Sequence, residues 1–329
     1  MSHRAKPQPR GRALRIVVSL ILSAVVLALI LGPRQPSYQG KALSQYLTAF
    51  SDDGYQISSE PPYAPVGVFV PSAERTEAWE ALDHFGAEAI PILVKLASAR
   101  DSTPARSLHW LASKVPLLNL RFPTASEKQR EAVAAFICCG SRGAPAVPQL
   151  LPLLDDERTA RAAIYALAFI KPEEEAHVLA LANAIQRFAG HPVLQIDAMA
   201  ALGACGPKAA RTAPILTHYL KSTNDQVSAT AAVALSQIGE KTPEAAASIA
   251  GRLSSASRGS AYVAPPLEMH LWALGEFGPV AEGALPIVAA FTNDASGRVR
   301  QLAEDAIRRI EGAVERRSTP PFPLSPRRE

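Results

Sequence analysis

The sequence predicts an all-α protein: an α-solenoid of stacked helical hairpins, about six or seven repeats long, preceded by one N-terminal transmembrane helix. Three observations carry this. Alanine supplies 59 of the 329 residues while aromatics are only 6%, a composition that favours helix and disfavours strand. A short Ala-to-Gly pattern recurs seven times along the chain. Residues 16–32 form an uncharged apolar run near the N-terminus. The 48% apolar content is enough to fill a core, and three cysteines are too few for a disulfide framework.

Residues 1–15 form a basic tail. Ile16 to Gly32 then reads IVVSLILSAVVLALILG, about 25 Å as a helix, slightly short of a ~30 Å hydrocarbon core. Arg15 and Arg34 flank the run and can snorkel to close the gap. The stretch is longer than a signal-peptide core, no small-x-small cleavage pattern follows it, and no lipid-accepting Cys lies beyond it. An uncleaved anchor is therefore expected, with secretion after signal cleavage as the alternative. Five basic residues precede the run, with Arg34 and Lys41 following it. This bias places the N-terminus in the cytoplasm and the rest of the chain outside it.

Residues 33–73 read as a linker. Gly32-Pro33-Arg34-Gln35-Pro36 cannot continue a helix. Near residues 42–50, Leu43, Tyr46, Leu47 and Phe50 fall on one face of a short helix. Such a helix is unstable alone and must dock as a cap. Ser51 to Ala73 is rich in Pro, Ser and Gly, has no period, and reads as an irregular connection.

Residues 74–313 are the repeat region. The unit is Ala, a large apolar residue, two variable residues, an apolar residue, then Gly: Ala81-Leu82-Asp83-His84-Phe85-Gly86 is the first copy and Ala201-Leu202-Gly203-Ala204-Cys205-Gly206 a central one. The last positions of the copies fall at 86, 140, 171, 206, 239, 278 and 311, and five of the six spacings lie between 31 and 39. A period in this range marks a helical repeat. Gly just past the last periodic apolar residue predicts a helix end. Pro91, Pro148, Pro214 and Pro286 then open second helices, where a missing N–H costs nothing. The one long spacing, 54, accommodates an extra amphipathic helix near 104–115. Residues 314–329, with their Pro- and Arg-rich end, read as a disordered tail.

Leu202-Gly203-Ala204-Cys205-Gly206-Pro207 followed by Ala213-Pro214-Ile215-Leu216, and Leu274-Gly275-Glu276-Phe277-Gly278-Pro279 followed by Leu285-Pro286-Ile287-Val288, resemble bacterial HEAT repeats of the short kind related to phycobilisome-lyase HEAT-like repeats. Tyr38 to Ser44, after an apolar segment, resembles the corresponding stretch of membrane-anchored bacterial HEAT proteins. The resemblance implies an α-solenoid with an outer first helix and an inner second helix in each unit. Its lyase branch implies an alternative function, an enzyme or accessory subunit, for which lyase chemistry on bilins belongs in the cytoplasm.

Charge and motifs narrow the function classes. The formal net charge is +4, yet residues 35–315 hold 24 basic and 29 acidic residues. A mildly acidic body is the wrong sign for neutralising phosphates, so no nucleic acid is expected. No His/Cys cluster has zinc spacing, and no phosphate-binding Gly loop or nucleophile elbow is present; no cofactor, metal or catalytic residue is assigned. Cys139 and Cys205 align with Phe85, Ile170, Ile238, Phe277 and Ile310 in a core slot, whereas Cys138 falls in a variable slot open to partial exposure. Glu173-Glu174-Glu175 and Asp155-Asp156-Glu157 sit where a helix dipole favours acids.

Aligning the second helices on their Pro places Lys95, Pro152, Asn183, His218, Gly251 and Ala290 in one slot four residues on. The slot is not consistently apolar and is expected to face solvent. Lys95, Asn183, Arg187, His218 and Lys221 are the candidate interaction residues. The expected function is a non-enzymatic scaffold, held to the membrane by residues 16–32, that presents its solenoid to an unidentified protein partner.

Overall fold

A computed structural model describes residues 36–50, 55–57, 67–69, 72–101, 123–256 and 266–312. The anchor expected at 16–32, the extra helix expected near 104–115 and the tail expected at 314–329 lie outside the described residues. Seven first helices run in chain order: α2 (Ala73–Phe85), α4 (Ala125–Cys139), α6 (Glu157–Ile170), α8 (Pro192–Cys205), α10 (Asp225–Ile238), α12 (Pro266–Phe277) and α14 (Gly297–Ile310). Each ends one residue before a position that the repeat pattern marks. Six second helices alternate with them: α3 (Ile90–Ala97), α5 (Val147–Leu150), α7 (Glu175–Arg187), α9 (Ala213–Tyr219), α11 (Pro243–Ala256) and α13 (Leu285–Ala289).

The helices begin where their caps say. Ser72, Thr124, Asp156, Asn224 and Ser296 each accept a backbone N–H of the first turn through their side chains, satisfying donors that have no partner within the helix. Thr124 and Glu127 complete a reciprocal capping box. Apart from Glu311, which stays helical at φ −71°, ψ −4°, the ends divide into two kinds. At Gly206 the backbone turns to φ 62°, ψ −145°, a region open essentially to glycine alone, and a 3-10 segment, Gly206–Thr212, leads into α9. Gly86 and Gly140 behave alike. Lys171 instead takes the left-handed helical conformation, φ 56°, ψ 69°, which a side chain tolerates at a cost of about 1–2 kcal/mol. No 3-10 segment follows it; Lys171 opens a short loop to the 13-residue helix α7. Second helices that follow a 3-10 segment are shorter, at four to eight residues.

Every first helix packs on the next first helix, from α2 to α14, and every second helix packs on the first helix of the following unit. This is a continuous stack rather than a set of self-contained hairpins. Each unit lends its apolar flank to its neighbour, so stability is a sum of units and interfaces. Small residues set the spacing: a Cβ added at Gly275 would lie 3.0 Å from the Ala306 Cα on the adjoining first helix, closer than packed carbons approach. Ala81, Ala135, Ala166, Ala201, Ala234 and Ala273 are all fully buried.

Both ends are closed. At the start, β1 (Ser37–Tyr38) pairs antiparallel with β2 (Lys41–Ala42), and α1 (Leu43–Leu47) continues as a 3-10 turn, Thr48–Phe50. Leu43, Tyr46, Leu47 and Phe50 are buried against the stack. At the far end α14 exposes Arg300, Gln301, Glu304, Arg308 and Arg309, a polar outer face of the sort that terminates a solenoid. The stretch from 51 to 73, expected to be irregular, contains a second hairpin, β3 (Tyr55–Ile57) with β4 (Gly67–Phe69). Its strands are three residues long, too short to show alternation in sequence.

Candidate interaction surface

The second helices share one burial pattern. Counting from the slot of Pro91, the residues two positions on are Leu93, Leu150, Leu181, Leu216, Ile249 and Val288, and all are fully buried. The starting slot itself (Pro91, Pro148, Leu179, Pro214, Ala247, Pro286) and the slot four residues on (Lys95, Pro152, Asn183, His218, Gly251, Ala290) are exposed in all six units, Pro152 standing in the 3-10 segment after α5 and Ala290 just past the end of α13. Residues four apart share a helix face, so each unit presents one two-residue step. None of these twelve side chains is acidic. Leu179 is the single large hydrophobic among them, 37% exposed, so the face is not an apolar patch.

The five candidate residues are all exposed, but they are not equivalent. Asn183 and Arg187 lie on one face of α7, His218 and Lys221 at the end of α9, and Lys95 on α3 two units before α7. Arg187 is already engaged: its guanidinium pairs with Asp155 and donates to the Leu154 carbonyl. It fastens its unit to the preceding one. The His218 ring stands edge-on to Tyr219, with centroids 5.4 Å apart.

Sequence reading missed a ladder of ion pairs between units. Asp83 pairs with Arg142, Arg100 with Asp156, Glu157 with His191, Glu173 with Lys208, Glu175 with Arg211, Glu268 with Arg298 and Glu276 with Arg309. The two acidic runs therefore do more than answer a helix dipole: five of their six members reach into another unit, and Glu174 faces His177 on its own helix. The sequence signal was the 33–36-residue offset of the partners at 173–208, 175–211 and 276–309, close to the repeat period. Apart from Glu268–Arg298, whose carboxylate is buried, these are exposed pairs, worth about 0–1 kcal/mol each; they fix register more than they stabilise.

One cluster is more buried. On α6 and α8, the Tyr165 hydroxyl donates to Asp197 Oδ1 at 2.8 Å and Arg161 Nε donates to Oδ2 at 3.0 Å. The Asp197 side chain is 10% exposed. Burial pushes its carboxyl above the usual range, opposed by the two donors, and burial beside that carboxylate pushes the Tyr165 hydroxyl up as well. Each Asp197 carboxylate oxygen thus accepts one hydrogen bond from the adjoining unit, which suits an inter-unit clamp.

The cysteines differ from expectation in one respect. Cys138 is buried and Cys139 half-buried, the reverse of their repeat slots. Eight consecutive residues of α4, Glu131 to Cys138, are buried, so the variable slot is covered here. Burial raises all three thiols, Cys139 and Cys205 to about 11 and Cys138 further, keeping them protonated and unreactive near neutral pH. Among the described residues no three His, Cys, Asp or Glu side chains are grouped to hold a metal ion. His270 on α12 is fully buried, with Nδ1 2.8 Å from the Pro266 carbonyl and Nε2 3.2 Å from Ser228 Oγ on α10.

No family model matches the chain, and no curated protein does. Among solved structures it is similar to an engineered protein at 19% identity and a TM-score of 0.40, over 71% of this chain and 68% of that one. A second engineered protein gives 21% identity and 0.40 over 68% and 96% of the two chains. A designed armadillo repeat protein in complex with the peptide (KR)4 gives 16% and 0.41 over 67% and 99%. The stack described above is defined by its own helix contacts, and likenesses at this level add nothing to it.

Proposed function

We propose that the chain is a membrane-tethered, non-enzymatic scaffold of HEAT-like repeats that binds a protein partner along its second-helix face. One observation carries the reading: two slots per unit are solvent-exposed and free of acids in all six units, above a fully buried slot. A surface repeated in register is what a solenoid offers to an extended partner. The thiols held protonated and the acids engaged between units also favour a binding role. The tether is residues 16–32, seventeen uncharged residues between Arg15 and Arg34, with the N-terminus cytoplasmic and the solenoid outside. Among the described residues no helix is long and apolar enough to cross a membrane, so this run is the segment proposed to do so.

A photo-crosslinking side chain placed at Lys95, Asn183 or His218 is expected to capture one and the same protein, whereas the same group at Arg161 or Glu304, on first helices, captures none. Equal capture from both sets, or no discrete adduct from the first, contradicts the proposal.

A further inference from the structure

The described body begins almost at the end of the apolar run. Only Pro33, Arg34 and Gln35 separate Gly32 from Pro36, so the two are at most about 14 Å apart along an extended chain. The headgroup layer on each side of a bilayer is roughly 5–8 Å deep. Pro36 is not the start of a loose arm. Its carbonyl accepts from Leu43 N at 3.2 Å. The β1–β2 hairpin turns through Gln39 and Gly40, both at positive φ, as a two-residue hairpin requires. The Tyr46 hydroxyl donates to the Tyr38 carbonyl at 2.8 Å, the Tyr38 ring lies 4.3 Å from the ring of His84 on α2, and Lys41 pairs with Glu77 on α2 at 2.7 Å. The hairpin is thus fastened to both α1 and the first repeat.

From these facts we infer that the β1–β2 end of the solenoid rests in the lipid headgroup layer, while the α14 end stands free of the membrane. The inference rests on the anchor proposed above and adds a surface and an orientation to it. The hairpin suits that layer. Its exposed residues and those of the following turn, Ser37, Gln39, Gly40, Lys41, Ser44 and Gln45, are neutral or basic. Tyr38 and Lys41 are of the types that sit at bilayer interfaces. The acid nearest to Lys41, Glu77, is taken up by it, and Glu74 lies on the same helix one turn before. Among the described residues nothing comparable holds the rest of the body down. The large hydrophobics exposed among the described residues are Leu179, Val193 and Val280, singly placed, and α14 presents charge. Six helix-to-helix steps of 8–10 Å put α14 about 50–60 Å along the stack from α2.

The test uses the full chain in phosphatidylcholine vesicles that carry a nitroxide on the headgroup. A fluorophore is attached to Gln39→Cys or to Glu304→Cys, each in a Cys139→Ala background; Cys138 and Cys205 are buried. The expected result is loss of fluorescence at position 39 and none at 304, with the chain retained in the vesicles after alkaline washing. A long Gly-Ser insertion between Arg34 and Gln35 should restore the signal at 39 without releasing the chain. Retention with both positions quenched or with neither quenched overturns the placement and leaves the anchor standing; quenching at 39 that survives the insertion shows the hairpin held in the layer by its own residues and supports the placement. Release of the chain by the wash overturns the anchor and the placement together.

Discussion

Leu202→Asp is expected to abolish the single cooperative unfolding transition of the repeat region. Leu202 is fully buried in α8, which packs on α6, α7 and α10. Removing the side chain forfeits about 2–5 kcal/mol of apolar burial and packing. The new carboxylate must then be protonated or unpaired in an apolar site, which costs several kcal/mol more. The total is comparable with the whole stability of a typical domain. Nearest-neighbour coupling makes the damage spread, because the units on either side lose the surface they lean on. Thermal unfolding of the purified chain should show two broad transitions at lower temperature, with proteolysis opening near Gly206. Leu202→Met keeps volume and polarity and is expected to cost under about 1.5 kcal/mol. A Leu202→Asp variant that melts as the parent does removes this residue from the core and the repeat assignment with it.

Acidification is expected to weaken the stack through His270 before the carboxylates titrate. Burial holds this imidazole down to about 4 from an ordinary 6.5, aided by the charge of Arg252 and opposed by the hydrogen bond to the Pro266 carbonyl. The folded value is the lower one, so between pH 6.5 and 4 the unfolded chain binds more protons. Stability is full above about 6.5, falls as the pH drops, and stops falling on this account below about 4. The full loss is about 3 kcal/mol, of which about 2 is expected between pH 7 and 5. Urea midpoints at pH 7 and pH 5 measure it. His270→Gln retains hydrogen-bonding groups without the titration and should flatten most of the difference; an unchanged pH slope in that variant contradicts the assignment.

The helix ends were the most legible feature of the sequence, because the turn chemistry at each one is local. Gly86, Gly140, Gly206, Gly239 and Gly278 all take positive φ, and alignment located a helix end, also at positive φ, at Lys171, where composition alone gives no hint. The solvent-facing slot of the second helices was legible for a similar reason: Lys95, Pro152 and Asn183 are incompatible with a common apolar environment. What escaped was non-local. The pairing of Glu173 with Lys208 and of Arg161 with Asp197 depends on which units touch, and the short strands at Ser37 and Tyr55 depend on partners rather than periodicity. Cys138 and Cys139 exchanged their expected burial because neighbours, not the repeat slot, decide what is covered. That Arg187 serves as an inter-unit link follows from Asp155 lying on the neighbouring unit, a contact no pattern within α7 encodes.

The central claim is that equivalent slots climb one stack in chain order. Pairs of spin labels at Lys95, Asn183 and Ala290 test it most directly, since these residues occupy the same exposed slot two, three and five units apart. Pulsed electron–electron distances are predicted to increase in the order 95–183, 183–290, 95–290, near about 20, 30 and 50 Å from helix-packing spacings and shorter at long range if the stack curves. A 95–290 distance below that of 183–290 contradicts the stack.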